Sequence, residues 1–130
     1  MFELTINDKV YSFNFGFGFM RELDPKVTKK IDGVSGKVQE MGVQYAIAGI
    51  LDGNIYELIN VLIAANKGCD PRITSAELEA HIENEDTDID CLFKDVLGFL
   101  KTANCTKKTV ANLEKMIEEE KAKAAAKTES

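Results

Sequence analysis

Three short patterns in this chain have residue types at spacings that chemistry uses. Gly16-Phe-Gly18-Phe-Met-Arg21 follows a strand-like alternation and opens a helix-like stretch. That is where a dinucleotide fingerprint seats a pyrophosphate on a helix N-terminus. The fingerprint needs a third glycine for close helix–strand packing; Arg21 stands there instead, and no strand–helix–strand unit surrounds it. Asp86-x-Asp88-x-Asp90 spaces carboxylates as a calcium loop begins, but such a loop needs glycine at its sixth position and a bidentate glutamate at its twelfth. Cys91 and Leu97 occupy those positions. His81 is the only histidine, and acid–base work requires a positioned partner that nothing nearby suggests. It reads as a partly exposed surface residue. Cys69, Cys91 and Cys105 are widely spaced with no CxxC, which supports neither a Cys–His dyad nor a zinc site. No catalytic, cofactor or metal residue is assigned, and a small helical chain without tryptophan is a poor host for a sugar-binding cleft.

Two features point to binding. Glu83, Glu85, Asp86, Asp88 and Asp90 form a dense acidic patch. Its bland reading is helix capping and solvation, since negative charge is favoured at a helix N-terminus; its functional reading is a face for a basic partner. Val110, Leu113 and Ile117 lie at helical spacing on an otherwise charged segment. That stripe either packs on its own core or offers a partner-helix or self-association seam.

Composition sets the frame. The 130 residues fit one domain, and 45% hydrophobic content allows a buried core without disulfide or metal staples. Sixteen basic against 22 acidic residues give a net charge of −6, which repels a phosphate backbone. Lys26, Lys29 and Lys30 are the densest basic group, with Asp24 and Asp32 alongside. The N-terminus has neither the basic nor the apolar region of a signal peptide. The most apolar stretch, 43–65, is interrupted by Asp52, Asn54, Glu57 and Asn60 and cannot span a membrane. A soluble intracellular protein with reduced thiols is expected.

The elements that must position these residues are mostly helical. Phe2, Leu4 and Ile6, then Val10 through Phe15, alternate as two strands joined at Asn7-Asp8, which tolerates left-handed backbone. An isolated hairpin is unstable in water, so its aromatic face must lie on the helices. Helices are expected over Phe17–Leu23, about Lys37–Leu51, from the Asn54/Glu57 capping box, from the Thr74/Glu77 capping box, over Ile89–Leu100, and from about Thr106. A mobile loop is expected over Asp32–Gly36, and the run after Ile117 has nothing to bury and should fray or be disordered. The fold class is therefore mainly α (α+β): an N-terminal hairpin on a compact bundle of five to six helices. Residues 1–103 form the main domain, and 104–130 a C-terminal helix with a Lys/Ala/Glu-rich tail.

The opening hairpin, Gly16-Phe-Gly18-Phe-Met-Arg21-Glu-Leu23, the apolar helix Asn54–Asn66, the Ile73–Ile82 segment and the amphipathic Ile89–Leu100 occur in an order that resembles one family. It is that of the tail assembly chaperones of long-tailed bacteriophages infecting Gram-positive bacteria. The resemblance implies a non-enzymatic protein of the host cytoplasm, absent from the virion, that coats the helical tape-measure protein before the tail tube polymerises. It also implies a longer frameshifted product that recruits the tail tube protein, with the Lys121–Lys127 run as a place for the slip. No nucleic acid, membrane or cofactor is implied, and self-association of copies along one client is compatible with it. The competing reading from the residues is an acidic, non-enzymatic binding module or inhibitor directed at a basic protein.

Overall fold

The computed structural model describes residues 2–31, 33 and 36–129, with side chains up to residue 126. Strands β1 (Phe2–Ile6) and β2 (Lys9–Phe13) form an antiparallel hairpin in the register Phe2↔Phe13, Leu4↔Tyr11 and Ile6↔Lys9. Asn7 and Asp8 both take positive φ, 51° and 65°, which is the geometry a two-residue hairpin turn demands. Six α-helices follow: α1 (Phe17–Leu23), α2 (Gly42–Leu51), α3 (Ile55–Asn66), α4 (Ser75–Glu83), α5 (Ile89–Thr102) and α6 (Lys107–Glu129). A hairpin on a six-helix bundle is thus the architecture.

Period and packing agree along most of the chain. Phe2, Ile6, Tyr11 and Phe13 turn one face of the hairpin into the core, where the Phe2 ring meets Phe13 and Phe99. Leu58, Val61, Leu62, Ala64 and Ala65 bury nearly every side of α3, which packs against α1, α2, α4 and β2. Burying each of its leucines contributes about 1.5–3 kcal/mol by transfer from water. The Thr74/Glu77 capping box forms in both directions. The Asn54/Glu57 box forms by half: the Asn54 carboxamide accepts from the Tyr56 and Glu57 amides, while its own amide bonds the Gly49 carbonyl. The Glu57 side chain lies on Gly49, where a Cβ would come within 2.3 Å of Glu57 Cγ.

Residues 37–41 depart from expectation. The helix expected from Lys37 begins only at Gly42, and Val38–Glu40 is strand β4, paired antiparallel with β3 (Thr28–Lys30). Every residue of both strands is exposed, so backbone hydrogen bonds hold this hairpin with no core beneath it. The loop expected over 32–36 lies partly outside the described residues; Gly33 and Gly36 have φ near +79° and +78°. Two non-local contacts set the start of α2. Asp24 Oδ1 accepts from the Val43 amide at 3.1 Å, supplying a cap that no neighbouring residue provides. Gly42 packs so tightly on the end of α1 that a Cβ there would lie 1.6 Å from the Leu23 carbonyl oxygen.

Asn66 is the polar centre of the fold. Fully buried at the end of α3, it donates through Nδ2 to the carbonyls of Ser12 (3.0 Å) and Pro71 (3.2 Å). Its Oδ1 accepts the Ile73 amide at 2.7 Å. One side chain therefore joins β2, α3 and the entry to α4. Asn66→Ala leaves two carbonyls and one amide without these partners, and should destabilise the protein by about 2–4 kcal/mol, read as a lowered urea midpoint with an unchanged slope.

Candidate functional site

The acidic patch becomes a site through the elements around it. Between β1, α4, the 84–88 connection and α5 runs an open groove of about 810 Å³. Leu4, Ile6, Ala76, Ala80 and Leu92 give it apolar lining, while Glu77, Asp86, Asp88 and Asp95 supply carboxylates. Among the described residues no lysine or arginine lines it.

Local bonds hold each wall in place. Asn84 Oδ1 accepts the Asp86 amide at 2.9 Å, and the Thr87 hydroxyl donates to the His81 carbonyl at 2.6 Å, closing the connection onto the end of α4. Asp88 caps α5 by accepting the Cys91 amide at 3.1 Å, so the capping reading holds for this residue. The Tyr11 hydroxyl donates to Glu77 Oε2 at 2.8 Å and ties the hairpin to α4. Glu77 Oε1 meanwhile accepts from the Thr74 amide (3.2 Å) and hydroxyl (2.9 Å). These bonds, the Tyr11 bond foremost, hold the Glu77 carboxyl below the usual carboxylate range, and the same hydrogen bond, with burial and then the Glu77 charge adding to it, holds the Tyr11 phenol above its ordinary value.

Cys91 reports the field inside the groove. The negative charge of Asp95 is the main cause that pushes its thiol up, with partial burial and a 3.6 Å contact from Sγ to Asp95 Oδ2 adding to it. An exposed thiol that stays protonated is a poor nucleophile.

The structure divides the eight residues singled out from the sequence. Asp86 and Asp88 line the groove; Glu83, Glu85 and Asp90 are exposed but lie outside its lining. Val110 is buried in the protein's own core, Leu113 is half-buried, and Ile117 is 36% exposed. Glu77, His81, Cys91 and Asp95 line the groove and were not picked out as its members. Gly16 is the N-cap residue of α1 and Gly18 lies in its first turn; on the same helix the Arg21 guanidinium lies 5.8 Å from the Phe17 ring centre, a cation–π contact. Among the described residues, no three His, Cys, Asp or Glu side chains are placed to hold a metal ion, and no helix is long and apolar enough to cross a membrane.

A family model described as phage tail assembly chaperone protein matches residues 3–115, from the first strand into α6. The chain belongs to that family. This chaperone is thus a tail-assembly protein of a non-catalytic family. No curated protein and no solved structure matches it.

Two outcomes follow for the chaperone's groove. Asp95→Asn should lower the Cys91 thiol pKa and speed its alkylation by iodoacetamide severalfold at mildly alkaline pH, measured by mass spectrometry with Cys69 and Cys105 as internal references. Glu77, depressed in the folded state, contributes stability that is fully present above the ordinary carboxylate value of about 4.3 and is lost as pH falls from there through the lower folded value. Tyr11→Phe should move the Glu77 titration upward, followed by carboxyl NMR, and shrink that acid-dependent loss.

Proposed function

We propose that the groove between β1, α4 and α5 receives a basic, amphipathic segment of the tape-measure protein and keeps that client soluble before the tail tube forms. One observation carries the reading: apolar lining together with four carboxylates, and no lysine or arginine among the described lining residues. Apolar side chains of the client are removed from water against half-buried Leu4 and exposed Ala76 and Ala80, while Asp86, Asp88 and Asp95 select for positive charge. Exposed acids just outside the groove (Glu83, Glu85 and Asp90) extend the attraction at longer range and speed encounter.

Many weak sites repeated along one long client act through effective concentration, so a shallow open groove suffices where a single high-affinity pocket does not. An open groove also lets copies leave when the tube assembles, consistent with a factor absent from the virion. The setting is the host cytoplasm. Recruitment of the tail tube protein belongs, in this reading, to a frameshift-extended form of the chain. Self-association along the client is compatible with it. The alternative of an inhibitor aimed at some other basic protein uses the same groove and differs in the client alone.

Co-expression with the tape-measure protein tests the assignment. Asp86→Asn, Asp88→Asn and Asp95→Asn together should abolish co-purification of soluble client; Asn is as good a helix cap as Asp at position 88, so the fold is retained. Glu83→Gln, Glu85→Gln and Asp90→Asn together should weaken capture only modestly, with a shallower salt dependence. Equal effects from the two sets would remove the groove from the proposal, and unchanged capture by both would remove the acidic patch altogether.

A further inference from the structure

The β3–β4 pair takes no part in the acidic groove, which is built from β1, α4, α5 and the connection between those helices. It is a two-stranded sheet, and every residue of both strands is exposed. Its backbone pattern fixes which groups point outward. The Ile31 amide bonds the Lys37 carbonyl at 3.2 Å, and the Met41 amide bonds the Val27 carbonyl at 2.7 Å. In an antiparallel register that sets Lys29 opposite Gln39, bonded pairs alternate with non-bonded ones, so 27/41, 29/39 and 31/37 bond inward. The amides and carbonyls of Thr28 and Lys30 therefore face away from β4. Among the described residues no third strand and no side chain takes them. On the other side β4 lies beside the turn Asp24–Lys26, so β3 carries the open edge.

The side chains along this edge select what completes it. β3 reads Thr28-Lys29-Lys30, two cations without an acid, on a chain whose net charge is −6. Successive strand residues point to opposite faces, so Lys29 charges one face of the edge and Lys30 the other. Neither lysine has an ion-pair partner among the described residues. The β3 of a second copy is disfavoured as occupant, because it sets lysine beside lysine, the device by which exposed edges block such pairing. A nucleic-acid backbone would satisfy the lysines but not the outward peptide groups of Thr28 and Lys30, and the overall charge of the chain repels it. An extended protein segment carrying carboxylates meets both demands. Its backbone exchanges hydrogen bonds with Thr28 and Lys30, and a strand spacing of about 4.8 Å brings its acids against the two ammonium groups. Ile31, 42% exposed at the end of the same edge, adds an apolar contact.

We propose that the outer edge of β3 binds an extended, acidic segment of a partner protein by strand addition, which makes the two-stranded sheet three-stranded. In antiparallel register the incoming residues opposite Lys30 and Lys29 are Asp or Glu, and a β-branched residue follows opposite Thr28. This partner has the opposite charge to the basic client of the acidic groove. The two surfaces share no element, so either can be lost without the other.

Titration of the full chain with the synthetic peptide Ser-Val-Glu-Glu-Thr-Val-Ser, followed by amide NMR, tests the proposal. Binding should slow hydrogen exchange at the Thr28 and Lys30 amides and leave Lys29, already bonded inward, little changed. Thr28→Pro removes one outward N–H and keeps both lysines. Val27 already has the extended backbone that a residue before proline requires, with φ −129° and ψ 123°. This variant should retain the protected Lys29 and Ile31 amides of the hairpin and bind the peptide at least about tenfold more weakly. Lys29→Glu with Lys30→Glu should weaken binding by about tenfold as well, and should instead bind a peptide with Lys-Lys in place of Glu-Glu. An acidic peptide that does not bind, undiminished binding by Thr28→Pro, or equal protection of the two amides by single-stranded DNA would overturn strand addition. So would concentration-dependent protection of those amides in the chain alone, which makes a second copy the occupant.

Discussion

The buried carboxamide of Asn66 is the constraint around which this fold is arranged. An amide in a dry core is tolerated only when its hydrogen bonds are made, because an unmade one costs about 1–3 kcal/mol. Asn66 makes three, to Ser12, Pro71 and Ile73, and thereby fixes three pieces of chain that hydrophobic packing alone would leave free to slide. A further bond from the Asn14 amide to the Ala65 carbonyl reinforces the same junction. Apolar contact is nondirectional; these bonds give it a register.

The position of the hairpin decides the position of the groove. Once β2 is anchored to the end of α3, β1 shares a groove with α4 and α5 and its Phe2 ring meets Phe99 of α5, while the Tyr11–Glu77 bond ties the hairpin to α4. The open side between them inherits whatever side chains α4 and α5 carry outward. From Glu77 to Asp95 the chain has eight carboxylates and one lysine, so that side is strongly negative. The raised Cys91 thiol is a local consequence of the same charge. A binding surface is produced here by ordinary packing and capping, with no strained or reactive group, which suits a protein that must hold and then release.

The C-terminal helix shows how far local propensity reaches. Glu, Lys and Ala are among the strongest helix formers, and Glu119 to Lys123 is a favourable i, i+4 step. Those preferences carry α6 well past Val110, although residues 118–126 are exposed. The run after Ile117 is helix-prone but has little to bury, so fraying is expected from the sequence, whereas the structure keeps it helical to Glu129. Propensity supplies the helix.

Short-range signals in the sequence determined much of the architecture. Asn7-Asp8 specified a two-residue turn, Thr74 and Glu77 a helix start, and the spacing of Leu92, Val96 and Leu100 the buried face of α5. Each depends on residues no more than about one helical turn or one strand pair apart, and so is readable without knowing the fold. What the sequence could not reveal depends on residues far apart. The start of α2 is set by Asp24, 19 positions upstream of Val43, and by the contact of Gly42 with Leu23. The exposed β3–β4 pair has backbone bonds and no hydrophobic alternation to betray it. Asn66 reaches across 54 positions to Ser12. The acidic residues were visible as a run, yet only packing sorted Asp86 and Asp88 into a groove with Glu77 and Asp95 and left Glu83, Glu85 and Asp90 outside it. Charge is a property of the chain, but concavity is a property of how distant elements meet, and tertiary structure alone decides that.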